Sequence, residues 1–140
     1  MADEQHLNGD STLGGDGAVS EGCLTAECKF KVHTFSDTLL DQKVHFQILK
    51  MTDSLYVWIG TSPEMNALAV AMCTKYDSVP SVVNLMGSKA DLSSTTLAQR
   101  LAKKTSKQCF VSYNIPTENM LLSLVEQRIN QEIKDKPQLF

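Results

Sequence analysis

The chain has 140 residues, of which 42% are apolar and 21% are charged, and its formal net charge is -3. This length allows one domain with a substantial core and is too short for two ordinary domains. The composition is ordinary for a globular protein, and it argues against wholesale disorder and against a coiled coil.

The charge is unevenly distributed. The first 28 residues hold six acidic residues and no basic ones, whereas the remainder holds ten acidic and thirteen basic residues. The mild basic excess of the body is too weak to predict a nucleic-acid surface. No apolar run reaches the ~20 residues that span a bilayer, and the acidic N-terminus is unlike a signal peptide. We expect a soluble protein of the cytoplasm, with the nucleus as a second location.

Residues 1–28 are rich in glycine, serine and acidic side chains, and five of the seven glycines lie there. Such a segment buries too little apolar surface to offset a backbone entropy of ~1–2 kcal/mol per residue. The sequence therefore predicts a disordered acidic tail over 1–28 and one folded domain over 29–140.

Alternating apolar residues predict five strands. The first begins near Lys29, and the others cover 43–51, 55–60, 81–86 and 108–114. Residues 52–54 have turn chemistry, so the second and third strands should form a hairpin. The stretch 67–73 is ambiguous, since Ser62-Pro63-Glu64 is a good helix start whereas its alternating residues also suit a strand.

Two segments have helical periodicity. The first, 93–106, places Leu97 and Leu101 on one arc. A second arc of the same segment is basic, and we call it the basic arc: Arg100, Lys103, Lys104 and Lys107. The second helix is predicted from 118 to about 134, with residues 136–140 frayed.

These elements predict an α+β domain with a mainly antiparallel sheet of about six strands and two helices on one face. Two helices of this length can cover one face of such a sheet and not both. The other face carries large apolar side chains, which are too apolar to be left to water: Leu49, Met51, Tyr56 and Trp58. A partner's sheet is the simplest cover.

The patterns that mark common catalytic sites are missing. The sequence has neither a phosphate-binding glycine loop nor a G-x-S-x-G turn, and its four cysteines form no C-x-x-C pair. His45 is better explained as an interface or half-buried histidine, and Asp53 and Asp77 as turn residues. We expect no catalytic residue, no cofactor and no metal, and hence a non-enzymatic interaction protein.

Two features leave alternatives open. The basic arc is either a solvated outer face or a docking surface for an acidic partner. Tyr56 and Trp58 belong either to the core of the monomer or to the anchors of an interface.

Three ordered stretches carry a family resemblance: VHFQILKMTDSLYVWIG at 44–60, ALAVAMCTKYDSVP at 67–80 and LAQRLAKKTSKQCFVSYNI at 97–115. With them the chain resembles the proteasome assembly chaperone 4 family over residues 29–140. The acidic tail departs from the resemblance.

The resemblance implies a non-enzymatic chaperone that pairs with proteasome assembly chaperone 3. It implies that the pair binds α-type subunits while the α-ring of the 20S proteasome forms, and leaves before the core particle is complete. It also implies two sheets packed face to face, and it favours a strand for 67–73. On this basis Leu49, Met51, Tyr56 and Trp58 are assigned to the chaperone–chaperone interface and the basic arc to the α-subunits. A small dimeric scaffold is the alternative, and a ligand-binding domain using His45, Asp53 or a cysteine is a weaker one.

Overall fold

The computed structural model describes residues 27–116 and 119–140. The predicted acidic tail lies outside the described residues, except for its last two positions, which belong to no helix or strand. The strands are β1 (Lys31–Leu39), β2 (Gln42–Lys50), β3 (Ser54–Gly60), β4 (Leu68–Met72), β5 (Ser81–Met86) and β6 (Gln108–Asn114). The helices are α1 (Ser93–Thr105), between β5 and β6, and α2 (Asn119–Asp135), followed by a 3-10 turn at Pro137–Leu139.

The six strands form one sheet in the order β1-β2-β3-β6-β4-β5. Four of the five pairings are antiparallel, and the central pairing of β3 with β6 is parallel. A parallel pairing needs a long crossover connection, which β4, β5 and α1 provide between these two strands. The prediction of a mainly antiparallel sheet of about six strands with two helices is confirmed.

The ambiguous stretch 67–73 is resolved as strand β4. The small side chains Ala69 and Ala71 are buried on one face of β4, and Ala98 and Ala102 are buried on α1. The Cys73 thiol donates to the Ala102 carbonyl at 3.3 Å, so strand and helix meet closely. Small residues on both elements allow this close approach. Packing against α1 thus explains why the stretch forms a strand, which its local sequence left open.

Both helices cover the same face of the sheet, which we call the core face. Alternate residues of β2, β3 and β6 are buried there together with Leu97 and Leu101 of α1 and Leu121, Val125 and Ile129 of α2. The fully buried sheet residues of these three strands are Val44, Phe46, Ile48, Leu55, Val57, Ile59, Cys109 and Val111.

The C-terminal residues are ordered, so the prediction of a frayed end is wrong. Phe140 is 7% exposed and belongs to the core cluster. Lys50 donates to the Gln138 carbonyl and Lys107 to the Phe140 carbonyl, each at 2.9 Å. An aromatic ring that reaches the core stabilises this end, although its sequence has no helical or strand periodicity.

A buried carboxylate ties the edge strand β1 to α2. Glu132 is 3% exposed and bonds His33 at 2.8 Å, Arg128 at 2.7 Å and Lys136 at 3.1 Å. Arg128 also bonds Asp37 and lies 4.6 Å from the centre of the Phe35 ring. Burial would raise the pKa of Glu132, but the hydrogen bonds from Arg128, His33 and Lys136 outweigh burial and hold the pKa at about 2.

We expect Glu132→Gln to lower the free energy of unfolding by about 2 kcal/mol at neutral pH, because a neutral amide loses the charge-assisted bonds. The folded-state pKa of Glu132 lies below the ordinary 4.5, so its stabilisation is present above pH 4.5 and is lost as the pH falls towards 2. Urea unfolding at neutral pH and at about pH 3 measures this difference.

The control is Glu126→Gln, which removes the more exposed carboxylate paired with Arg100. Its effect should stay below about 1 kcal/mol, the usual range for surface pairs. The difference in the free energy of unfolding between the native chain and Glu132→Gln should be smaller at the lower pH. If it were not, ionised Glu132 would not be the source of the stabilisation.

Candidate protein-interaction surface

The face of the sheet opposite the helices, which we call the open face, carries one apolar residue from each strand at the same level. The ladders pair Val32 with Leu49, Leu49 with Tyr56 and Tyr56 with Phe110. They continue from Phe110 to Val70 and from Val70 to Val83. We call these six residues the apolar row. Residues paired directly across strands point to the same side of a sheet, so the row is continuous across its full width.

The apolar row is incompletely covered by the described chain. Its two ends, Val32 and Val83, are 62% and 56% exposed, and the four central residues are half-buried. Met72, next to Val70 on the same face by alternation, is 47% exposed. An apolar strip six strands wide is larger than the isolated apolar residues that normally occur on a surface. It is the candidate interaction surface of the described residues.

The loop 61–67 lies over part of this face. The Trp58 indole N–H donates to the Glu64 carbonyl at 2.8 Å, and the Tyr56 hydroxyl donates to the Met65 sulfur at 3.7 Å. The Trp58 ring lies over Gly60, where an added Cβ would come within 2.7 Å of the ring. Both aromatic side chains are therefore held in fixed positions before any partner binds, which lowers the entropy that binding must remove.

Burial also affects the Tyr56 hydroxyl. It raises the pKa of Tyr56, an effect that a hydrogen bond with Ser112 partly opposes. The phenol therefore stays neutral over the physiological range and is suited to a partly dry interface.

Asn114, the last residue of β6, holds loop 61–67 in place. Its side-chain oxygen accepts the backbone N–H groups of Asn66 at 2.7 Å and Ala67 at 3.3 Å. Its amide nitrogen donates to the Ile59 carbonyl and to both oxygens of Ser112. The Ser112 hydroxyl donates in turn to the Ala67 carbonyl at 2.6 Å. One side chain thus connects β3, β6 and the loop.

A family model described as proteasome assembly chaperone 4 matches residues 43–115 of this chain. The mouse proteasome assembly chaperone 4 is 46% identical over 123 residues, which cover 87% of this chain and 100% of the relative. The human protein of the same name is 49% identical over 110 residues, covering 78% of this chain and 89% of the relative.

The chain belongs to the proteasome assembly chaperone 4 family. The matched segment runs from β2 to the end of β6, and it contains five of the six residues of the apolar row. The family resemblance expected from the sequence is confirmed.

The fold is similar to that of a chain in a solved structure described as a novel chaperone complex for yeast 20S proteasome assembly. The TM-score is 0.56 at 11% identity, with 79% of this chain and 97% of that chain covered. At this identity the likeness shows a shared fold.

The residues predicted for the interface lie on or beside the apolar row. Leu49 and Tyr56 belong to it, and Trp58 follows Tyr56 on the same side of β3. Met51 is half-buried one residue beyond the end of β2, where its N–H donates to the Ser54 carbonyl. The sequence interpretation missed Val32, Val70, Val83 and Phe110. Each lies in an alternating stretch, but only the strand order shows that they are neighbours of Tyr56.

The basic arc is divided among three places in the structure. Arg100 pairs with Glu126 and Lys104 donates to Asn130 at 2.9 Å, so both face α2. Lys103 lines a groove with Val79 and Pro80, and Arg100 borders that groove as well. Helix α1 ends at Thr105, and Ser106 takes a left-handed conformation with φ 57°. Lys107 therefore lies beyond the helix, where it bonds the Phe140 carbonyl.

The described residues were also compared with the requirements of a metal site, a membrane span and a reactive cysteine. Among residues 27–116 and 119–140, no group of three or more His, Cys, Asp and Glu side chains could hold a metal ion. No helix in that part of the chain is long and apolar enough to cross a membrane. Burial raises the pKa of the Cys109 thiol, which disfavours the reactive thiolate.

We expect Asn114→Ala to loosen loop 61–67, because the Asn66 and Ala67 amides lose their acceptor. Loss of two such bonds should speed exchange of these two amides roughly 10-fold or more, at about 1 kcal/mol per bond. Hydrogen exchange followed by NMR measures it.

Asn114→Asp is the matched control, since a carboxylate keeps the acceptor for both amides but places a second acceptor against the Ile59 and Ser112 carbonyls. Its loop amides should stay better protected than those of Asn114→Ala. Equal loss of protection in the two variants would contradict the role given to the acceptor oxygen.

Proposed function

We propose that this chain is a non-enzymatic chaperone of 20S proteasome assembly, which pairs through its open face with proteasome assembly chaperone 3 and binds α-type subunits. Its family membership and the fold it shares with a chaperone complex for yeast 20S proteasome assembly support the role in assembly. The apolar row supports the pairing, and it is the observation that carries the proposal. We expect the chain to act in the cytoplasm, with the nucleus as a second location.

A second sheet fits the open face better than a single peptide would. Six strands about 4.8 Å apart make a strip roughly 24 Å wide, and sheets pack face to face about 10 Å apart. A stable interface buries about 800 Å² on each partner. The row, with Trp58 and Met72 beside it, would form the apolar centre of such an interface, and the polar residues around it would supply the rest of that area.

The aromatic pair at the centre of the row should carry most of the binding free energy. Tyr56 and Phe110 are direct partners on the two central strands, and Trp58 lies beside them. Central aromatic residues that lose all contact with water are the usual anchors of protein interfaces, whereas exposed ends such as Val32 form the rim. The structure of the free chain thus resembles one half of an interface core.

A chaperone of this kind can act through binding alone, without making or breaking covalent bonds. A chaperone stabilises one arrangement of its clients by binding that arrangement better than others. In this proposal the pair holds α-type subunits in an early arrangement and leaves when later subunits compete for the same surface. The cations of the basic arc contribute to α-subunit docking by attracting acidic groups.

We expect Trp58→Ala to weaken binding to proteasome assembly chaperone 3 by about 30-fold, corresponding to ~2 kcal/mol for a central anchor. Isothermal titration calorimetry of the two purified chains measures the affinity. The matched control is Met120→Ala, which truncates a 67% exposed apolar residue on α2, away from the open face.

An unchanged affinity in Trp58→Ala would remove Trp58 from the interface. If the native chain bound only a second copy of itself and not the sister chaperone, the pairing would be wrong and the dimeric scaffold would be favoured.

We expect the double variant Lys103→Glu with Lys104→Glu to weaken capture of α-type subunits by roughly 10-fold at low salt, since each reversal replaces attraction by repulsion. The difference from the native chain should shrink as salt is added, because exposed charges are screened. Surface plasmon resonance at several salt concentrations measures both effects. The double variant Lys89→Glu with Lys134→Glu makes the same change in net charge outside the basic arc. An equal loss of affinity in that variant would mean that the basic arc is not a specific docking site.

A further inference from the structure

The two edges of the sheet are differently protected. Edge strand β1 contains Lys31 and Asp37 and is tied to α2 through Arg128 and Glu132. Edge strand β5, with the sequence SVVNLM, contains no charged residue. Charged side chains on an edge normally prevent another strand from adding to it. By this criterion β5 is open to strand addition and β1 is protected.

Exposed apolar residues concentrate around β5. Six of the twelve large apolar residues that are exposed on the described chain fall within positions 72–86: Met72, Tyr76, Val79, Val83, Leu85 and Met86. The ladder between β4 and β5 is regular from Ser81 to Asn84 and shifts register only beyond it. The regular part of β5 is therefore a straight template about four residues long.

A groove with two cations lies directly before β5. Val79, Pro80, Gln99, Arg100 and Lys103 line it, and its volume is about 190 Å³. The Gln99 amide donates to the Pro80 carbonyl at 2.9 Å, which fixes α1 against the start of β5. Asp77, the nearby acid in the β4–β5 loop, accepts the Val79 N–H at 3.0 Å. Arg100 is 59% exposed at its side chain even though it pairs with Glu126.

These observations define the chemistry of an occupant. Side chains of an added strand would alternate between the open face, beside Val83, and the core-face side, beside the cations of α1. Apolar residues suit the first side and acidic residues the second. A second copy of β5 has no carboxylate to offer Arg100 and Lys103, so the charges favour a different chain.

We propose that the outer edge of β5, with the Val79/Pro80 groove and Lys103, accepts an extended segment of a partner protein in which apolar and acidic residues alternate. The segment joins the sheet by main-chain hydrogen bonds, and its acidic side chains lie near Arg100 and Lys103. The site uses the main-chain groups at the edge of β5 and shares Val83 with the apolar row, and the proposal does not depend on which protein covers the open face.

The test uses the full chain and a fluorescein-labelled peptide of about seven residues, the length of a natural strand, with valine and glutamate alternating. A twin peptide with lysine in place of glutamate tests the charge. Fluorescence polarisation should show saturable binding of the glutamate peptide and binding at least tenfold weaker for the lysine peptide.

Two matched pairs of variants locate the peptide. Val83→Lys should weaken binding about tenfold, whereas Val32→Lys, the same change at the other end of the apolar row, should not. Lys103→Glu should weaken it, whereas Lys104→Glu, whose side chain faces Asn130, should not. Lys103 and Lys104 thus separate this site from docking through the whole basic arc, for which both lysines matter.

Hydrogen exchange provides a readout that needs no variant, because bound peptide should slow exchange of β5 amides and leave β1 amides unchanged. The proposal is overturned by the absence of saturable binding up to about 1 mM peptide, the weak end of specific recognition. It is also overturned by equal binding of the two peptides, or by an equal loss in Val32→Lys, which would place the peptide on the open face.

Discussion

An alternating strand sends its side chains to two faces, and the two helices of this chain cover only one of them. The residues buried under α1 and α2 lie on one face of the four inner strands, from Val44 on β2 to Val111 on β6. The other face includes Tyr56, Phe110 and Val70, which no helix of the described chain covers. The helical layer therefore decides which residues are core and which are left for a partner.

The parallel pairing of β3 with β6 gives the open face its centre. It joins the N-terminal hairpin strands to the C-terminal part of the sheet, and it brings Tyr56 beside Phe110 although 54 positions separate them in sequence. Asn114 at the end of β6 then bonds the loop that lies over Trp58. The aromatic centre of the proposed interface is thus positioned by a long-range pairing and by one polar side chain.

The sheet has a second asymmetry along its width. At one edge, charged and aromatic contacts among His33, Phe35, Arg128 and Glu132 hold β1 against α2. At the other edge, β5 has only apolar and neutral side chains beside a groove that holds two cations. A face and an edge of one sheet can bind two different chains, because the face offers side chains whereas the edge offers main-chain N–H and C=O groups.

Local sequence was sufficient for features that depend on neighbours along the chain. The period-two pattern of KVHFQILKM and LYVWIG identified two strands, the turn between them and the side on which Leu49, Tyr56 and Trp58 lie, because side-chain alternation is a property of one strand. Counting two helices against one sheet was enough to predict an uncovered face, and the family resemblance rested on ordered stretches of the same residues.

Tertiary structure decided everything that depends on which elements become neighbours. Residues 67–73 became a strand because Ala69 and Ala71 meet α1, and Val32, Val70, Val83 and Phe110 joined the apolar row only through the strand order. The basic arc is continuous on a helical projection, but its side chains do not form one surface in the structure. Helix α1 ends at Thr105, before Lys107, and α2 lies beside Arg100 and Lys104. Phe140 is held by its contacts with the core, which the sequence around it does not predict. Burial depends on the whole folded chain, whereas periodicity depends on one segment.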